Sequence, residues 1–147
     1  MAASPVPVRS AGADGVAFGA EVVRLRAVER RRRFPLGVHL GHPDGPRRGV
    51  ELPWPVPAEY DVGLRFDVVD ALVHALLEDP PHEGPVWAWS TRPGVPEMHD
   101  RDLEWCSVAL RAVEAQALTF AGFRAVTRTG WLDVLSGERR TWKRLRS

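Results

Sequence analysis

The stretch from Val86 to Gly130 constrains the fold more than any other part of the chain, because it has the pattern of a strand, a helix and a strand. The first strand, residues 86–91, is a short apolar run closed by Pro-Gly, which is typical of a strand buried on both faces. The second, residues 123–128, ends in Thr127-Arg128-Thr129-Gly130, and the first ends in the similar Thr91-Arg92-Pro93-Gly94. The sequence therefore predicts a central β-α-β unit.

The segment between these two strands has the spacing of an amphipathic helix. Asp100 is the predicted N-cap, and Asp102 and Glu104 place negative charge in the first turn, where the helix dipole favours it. The apolar residues that recur at three- and four-residue steps, and would form the buried face, are Leu103, Cys106, Leu110, Val113 and Ala117. We therefore expect Leu110 to pack against the sheet.

Upstream of this unit, three segments alternate between apolar and polar residues, which is the period of a half-solvated strand. They are residues 21–28, 34–40 and 48–52. In the second segment, Leu36, Val38 and Leu40 share one face and His39 lies on the other. These segments predict an antiparallel meander. The prolines of residues 53–57 then form a connector, since proline has no amide hydrogen to donate to a sheet.

A second helix is predicted from Leu64 to Glu78, where Asp79-Pro80-Pro81 provides a stop signal. Its apolar residues again share one face. We expect one of them, Leu76, to lie in the core.

The C-terminal segment is predicted to be a β-hairpin with Ser136-Gly137 as its two-residue turn. In that register Trp131 lies opposite Trp142, and Asp133 lies opposite Arg140. An aromatic pair would then stand beside a pair of opposite charges on one face of the hairpin.

Together the elements predict an α/β (α+β) fold with a mixed sheet. It contains an N-terminal antiparallel meander, two helices around the central β-α-β unit and a C-terminal β-hairpin. Residues 1–15 are rich in Ala, Pro, Gly and Ser and have little to bury, so we expect a disordered tail there. Residues 16–147 are expected to form a single domain.

Residue usage limits what can be inferred about partners. The chain has nineteen arginines, one lysine and neither isoleucine nor asparagine, which is typical of the GC-rich coding sequence of a high-GC bacterium. The basic runs at residues 30–33 and 139–146 are therefore weak indications of nucleic-acid binding, and the acids reduce the net charge to +1. We expect at most weak, nonspecific binding to nucleic acid.

Cysteine usage and hydropathy bear on the compartment. The one cysteine, Cys106, excludes an internal disulfide and fits a reducing compartment, where it is expected to be a packed thiol. The sequence shows neither a signal peptide nor the roughly 18 apolar residues of a membrane span. We therefore expect a cytoplasmic protein with no membrane partner.

Four motifs occur in order along the second half of the chain: residues 87–94 (WAWSTRPG), 99–105 (HDRDLEW), 126–131 (VTRTGW) and 140–146 (RTWKRLR). In these motifs the chain resembles a group of short, uncharacterised proteins from actinobacteria. The resemblance implies no activity, and it marks only where a site would lie.

Motifs for catalysis or for metal binding are missing from the sequence. The five histidines, His39, His42, His74, His82 and His99, lack the paired spacing of zinc ligands, and no glycine-rich phosphate loop or nucleophile elbow is present. The predicted element order is also that of ribonuclease H-like domains. Their two-metal cleavage needs converging carboxylates, and this chain has Ser90-Thr91-Arg92 where that fold places one. We therefore predict no metal and no cofactor. If the chain is a relative of ribonuclease H-like domains, we expect it to be an inactive one.

A candidate site follows from the central unit. The carboxyl ends of parallel strands meet at one sheet edge, where ligands of open α/β sheets bind. The candidate ligand-binding residues are Arg92, His99, Asp100, Asp102, Arg128, Trp131 and Trp142. The alternative, in which the two aspartates simply pair with the two arginines, stays open.

Two classes of function follow from this site. The first is a non-catalytic binding or regulatory module that holds an anionic or protein partner at the Arg92 and Arg128 strand ends and the C-terminal hairpin. The second is a small enzyme that acts on an anionic substrate, with His99 or Asp102 as acid or base. We favour the module, because no catalytic constellation is present.

Overall fold

A computed structural model of the chain describes residues 11–78 and 82–142. The three helices are α1 (Ala11–Val28), α2 (Val62–Leu76) and α3 (Asp100–Ala115), and the six strands are β1 (Leu36–Gly41), β2 (Arg47–Leu52), β3 (Val86–Thr91), β4 (Phe120–Thr127), β5 (Gly130–Asp133) and β6 (Arg139–Thr141). The strands form one sheet in the order β2-β1-β3-β4-β5-β6. Only the β3–β4 pair is parallel. This confirms the predicted mixed α+β fold with a central β-α-β unit and a C-terminal hairpin.

The predicted first strand, residues 21–28, is wrong, because these residues form the second half of helix α1. Phe18, Val22 and Leu25 recur at helical spacing and pack against Trp87 and Trp89, so burial of this face outweighs the short alternation. The meander is therefore reduced to the β1–β2 hairpin, with β1 also antiparallel to β3. The element order expected of ribonuclease H-like domains is not the observed order, since a helix comes first.

The boundary of the predicted N-terminal tail also moves. Helix α1 begins at Ala11, so residues 11–15 are helical instead of disordered. Residues 1–10, the stop signal at 79–81 and the basic C-terminus at 143–147 lie outside the described residues.

The two faces of the sheet are unlike each other. Helices α2 and α3 cover one face, and the apolar core lies there; Leu76 is buried in it, as predicted. Helix α1 alone packs on the other face, over β4 and β5. That second layer contains Phe18, Val22, Trp87, Trp89, Val126 and Trp131.

Helix α3 begins where expected but is rotated relative to the predicted face. The buried residues are Asp102, Trp105, Cys106, Val108, Ala109, Ala112 and Val113. Leu103 is instead 49% exposed and Leu110 is only half-buried, so the prediction for Leu110 is wrong. The cause is Asp102, a charged residue that faces inward because it pairs with Arg92 at the end of β3. A buried helix face that is predicted from apolar residues alone leaves out a buried aspartate.

The C-terminal hairpin forms in a different register from the predicted one. Trp131 lies opposite Arg140 instead of Trp142, and Asp133 lies opposite Arg124 on the other neighbouring strand. The Asp133 carboxylate accepts hydrogen bonds from the amides of Leu135 and Ser136 (3.1 and 3.0 Å), so it organises a wider turn. None of the helices in the described ranges is long and apolar enough to span a membrane.

Candidate functional site

Arg92, the first predicted site residue, is fully engaged inside the protein. Its Nε and Nη2 donate to the two carboxylate oxygens of Asp102 (2.9 and 2.8 Å). Its Nη1 donates to the carbonyls of Pro93 and Val95 (both 3.1 Å), and Nη2 also donates to that of Glu97 (2.9 Å). All five N–H groups of the guanidinium therefore have partners. Arg92 holds the β3–α3 loop and has no donor left for a ligand.

His99 and Asp102 are engaged in the same structure. Asp102 also accepts a hydrogen bond from the backbone N–H of His99 (3.0 Å), and His99 Nδ1 accepts one from the backbone N–H of Arg101 (3.1 Å). This is a capping box, with His99 instead of the predicted Asp100 as N-cap. Asp100 is exposed at the first helical position. The structure thus brings Arg92, His99 and Asp102 together and gives these side chains a capping role.

Arg128 does not join this group. Strands β3 and β4 do end at the same edge, since the Arg92 amide donates to the Val126 carbonyl (3.0 Å). Arg92 nevertheless faces α3, whereas Arg128 lies on the α1 side. There the pKa of Glu29 is lowered, chiefly by hydrogen bonding to Arg31 and also by the charge of Arg128. No hydrogen bond or ion pair within the described residues joins Arg128 to Arg92, His99 or Asp102, so the structure does not connect the two arginines in one site.

The two tryptophans of the predicted site are packing residues. Trp131 is 3% exposed, and the Arg124 guanidinium lies 4.0 Å from its ring centroid while Arg124 Nε donates to Asp133 (3.2 Å). Trp142 is half-buried against the α1 layer, close to Gly19. Trp131 therefore presents no open aromatic surface, whereas the Trp142 ring is partly exposed and has the Arg140 guanidinium 5.5 Å from its centroid.

A different site lies on the α1 face of the sheet. Because α1 packs over β4 and β5, the part of this face formed by β1, β2 and β3 remains partly open. A cleft of about 220 Å³ occupies that space, which we call the α1 cleft. It is lined by Glu21, Arg24, Leu25, Val28, Glu29, Phe34, Pro35, Gly37, His39, Arg47, Glu51 and Thr91.

His39 is the most unusual residue in the α1 cleft. Its imidazole stacks on Trp89 (centroids 5.4 Å apart, planes at 20°), and Nε2 lies 3.1 Å from the Thr91 hydroxyl oxygen. Two glycines leave space for the His39 ring. A Cβ at Gly37 would lie 2.6 Å from Nε2, and one at Gly49 would lie 2.5 Å from Nδ1. The ring thus lies in a glycine-lined recess of the sheet.

The environment of His39 keeps its ring neutral. Burial lowers the pKa of His39 to about 3, and the charges of Arg47 and Arg24 contribute in the same direction. The charges of Arg47 and Arg24 are therefore close enough to act on the ring. At neutral pH the imidazole is an uncharged hydrogen-bonding group next to cationic side chains.

Those arginines are held by one buried carboxylate. The Glu21 side chain is 3% exposed and pairs through a single oxygen with Nη1 of Arg47 and with Nη1 of Arg24 (2.9 Å). Arg47 also lies over the Trp89 ring (4.9 Å), while the Arg24 side chain is 58% exposed. Within residues 11–78 and 82–142, neither guanidinium donates a further hydrogen bond. Two arginines on one carboxylate leave unused donors beside the cleft, whose other acids are Glu51 and Glu29, the latter paired with Arg31.

Metal binding and thiol chemistry find less support than the α1 cleft in the described part of the chain. No group of three His, Cys, Asp or Glu residues in the described part of the chain is placed to hold a metal ion. Burial, together with the nearby Asp133, raises the pKa of the Cys106 thiol to about 11. A thiol that stays protonated at neutral pH is a packing group and a poor nucleophile.

No protein-family model matches the chain, and neither the curated proteins nor the solved structures provide a match. The resemblance to actinobacterial proteins stays a prediction.

Sequence reasoning placed His39 on the correct face of its strand but missed the α1 cleft. One signal was present in the sequence, since Gly37, His39 and Gly41 alternate along one strand face. The other components, Gly49, Thr91 and the arginines, come from separate elements. Only the strand pairing brings them to the imidazole.

The engagement of Arg92 predicts a large effect on stability. Replacing Arg92 with Ala leaves the Asp102 carboxylate buried without its partner, so the free energy of unfolding should fall by about 3–5 kcal/mol. Arg128→Ala, at the corresponding end of the next strand, removes a partly buried side chain that forms no ion pair within the described residues, and should cost less than about 1 kcal/mol. Denaturant-induced unfolding of both variants measures the difference. Equal losses would contradict the structural role of Arg92.

The depressed pKa of His39 predicts a pH dependence. The ordinary pKa of 6.5 falls to about 3 on folding, so between these values the unfolded chain binds a proton that the folded chain lacks. Stability should therefore fall as the pH falls from about 6 towards about 3, by up to about 1.4 kcal/mol per pH unit. His39→Gln should remove this contribution, whereas His74→Gln, at an exposed position, should retain it. Unfolding curves at several pH values test this; parallel profiles for His39→Gln and the parent would refute it.

Proposed function

We propose that this protein is a non-catalytic binding module that holds a small anionic ligand in the α1 cleft. The observation that carries the proposal is the pair of arginines on one buried glutamate, next to a neutral imidazole. Buried Glu21 fixes the arginines in place, and their unused donors supply the charge-assisted hydrogen bonds that an anion needs. The anionic ligand of the sequence-based hypothesis is retained, and its site moves from the Arg92 edge to the α1 cleft.

The shape of the cleft restricts the ligand further. Its volume of about 220 Å³ is smaller than the roughly 300–1,000 Å³ of pockets for drug-sized molecules. Leu25, Val28, Phe34 and Pro35 contribute an apolar wall beside the arginines. Glu29, which is paired with Arg31, and Glu51 also line the cleft, so its positive charge is confined to the Arg24–Arg47 corner and suits a single carboxylate. The ligand class that fits is a small organic carboxylate with an apolar body.

A second candidate function is an enzyme that acts on the same ligand. One observation favours it: the Thr91 hydroxyl lies within hydrogen-bonding distance of the neutral His39 imidazole, as a nucleophile lies near its base. No residue in the described ranges hydrogen-bonds to His39 Nδ1, so the third group that would orient the base is missing. We therefore rank the binding module first.

The packing of the tryptophans and of the cysteine bears on nucleic-acid binding and on the compartment. The tryptophans that would stack on bases are packed beneath α1, so binding to nucleic acid is proposed to be weak and nonspecific. The single buried thiol is consistent with a reducing compartment, and we propose a cytoplasmic location.

Benzoate is a suitable probe for the α1 cleft, because it combines one carboxylate with a small apolar ring. Isothermal titration should show saturable binding of benzoate and none of the neutral benzamide. Arg24→Ala should weaken benzoate binding by about tenfold or more, as expected for a lost charged hydrogen bond. Arg26→Ala, on the same helix but outside the cleft, is the matched control. Since His39 is neutral, affinity should be constant between about pH 6 and pH 9.

Two results would overturn this proposal. One is the absence of saturable benzoate binding when inorganic phosphate and acetate also fail to bind. The other is an equal loss of affinity in Arg24→Ala and Arg26→Ala, which would show that the protein attracts anions through its general surface charge.

A further inference from the structure

A second surface lies at the end of the molecule where α2 and α3 begin. Five large apolar side chains there are each between 40% and 52% exposed. We call them the helix-start surface: Val62, Leu64, Val95, Met98 and Leu103. Large apolar side chains that cluster on a surface mark interaction sites, whereas isolated ones do not.

The topology places these residues side by side. Strand β1 is antiparallel to β2 and β3, and β4 is parallel to β3, so β2, β3 and β4 share one direction. Helices α2 and α3 each connect two of these strands and therefore begin at the same end of the sheet. Their first turns are joined where Arg65 Nη1 lies 3.3 Å from Glu104 Oε2. Leu64 and Leu103 immediately precede these paired residues.

The loop before α3 extends the same surface. Met98 and Leu103 occupy the two positions of a hydrophobic staple, one residue before the N-cap and four residues after it. Val95 lies in the loop that Arg92 holds in place through its hydrogen bonds to the Val95 and Glu97 carbonyls. The surface is therefore formed by fixed elements and is exposed because α3 turns Asp102, not Leu103, towards the sheet.

The charge around this surface is strongly acidic, although the net charge of the chain is only +1. Residues 53–116 contain twelve acidic residues and four arginines, and the excess of arginine lies outside this range. Two of those four arginines, Arg65 and Arg92, are buried in ion pairs. Near the apolar side chains the exposed acids are Glu59, Asp61, Glu97 and Asp100, and the nearby Arg101 is paired with Glu104.

We propose that the helix-start surface docks a basic amphipathic helix of a partner protein. Such a helix presents several apolar side chains along one narrow face, with Lys and Arg along both borders. Its apolar face covers the exposed leucines, and its basic borders meet the surrounding acids. Complementary charge of this kind also speeds association and makes it sensitive to salt. The inference is independent of the α1 cleft, which lies on the opposite face of the sheet.

The test uses the full chain and a synthetic helical peptide of about eighteen residues, or five turns. The peptide has leucines at helical spacing on one face and lysines elsewhere. A second peptide has the same composition in an order that gives no apolar face, and a third has glutamate in place of lysine. Fluorescence anisotropy of the labelled peptides should show binding of the first alone, with an affinity that falls as salt rises.

Two substitutions and one control locate the site. Leu64→Ser and Leu103→Ser should each weaken binding of the first peptide by about tenfold, with unfolding midpoints close to that of the parent. Leu135→Ser removes another exposed leucine (61%) from the β5–β6 turn and should leave affinity unchanged. Equal binding of the first two peptides, or an equal loss in Leu135→Ser, would overturn the proposal. Sedimentation that shows dimers of the chain which Leu103→Ser abolishes would also overturn it, since the occupant would then be a second copy.

Discussion

The side chains of strand β3 point alternately to the two faces of the sheet, and the rest of the structure depends on this constraint. Val86 and Ala88 pack into the apolar core under α2 and α3, and Trp87 and Trp89 pack beneath α1. The same alternation continues past the end of the strand, where Thr91 reaches His39 and Arg92 reaches Asp102. One central strand thus supplies both the group that anchors α3 and part of the floor of the α1 cleft.

The two layers on either side of β3 are stabilised by different interactions. The layer under α2 and α3 is an ordinary apolar core with the Arg92–Asp102 pair at its edge. The α1 layer buries charged groups instead: Arg124 pairs with Asp133 and lies within 4.8 Å of three aromatic centroids. Buried ion pairs add little net stability compared with apolar packing, but each fixes its partners in one geometry.

How much could be predicted from the sequence depended on how local each pattern was. The β-α-β unit was predictable, because an apolar strand, a helical period and a second strand follow each other along the chain. Helix α1 was not predictable, because apolar residues alternate with arginines at residues 21–28 as they would in a strand. The residues of β3 that α1 packs against are also distant in sequence. The rotation of α3 was hidden because it depends on a buried charge, Asp102, and no apolar pattern contains one.

The candidate site was less predictable than the fold for the same reason. The β3 and β4 ends were correctly expected to meet at one edge, but Arg92 is bound by Asp102 of α3 and Arg128 falls in the β4–β5 turn. The recess of the α1 cleft requires Gly37 and Gly49 to meet His39 across two strands, with Thr91 from a third. Each of these residues alone is unremarkable in the sequence.

The central claim, that the α1 face of the sheet is the binding face, can be tested by following two tryptophans during a titration with benzoate. Trp89 lies beneath His39 and Arg47 on the α1 face, and Trp105 is equally buried on the opposite face. Both have a buried indole N–H without a protein partner, so their ¹H–¹⁵N signals are matched reporters. We expect the Trp89 signal to shift saturably while that of Trp105 stays in place. A saturable shift of Trp105 with an unmoved Trp89 would contradict the account.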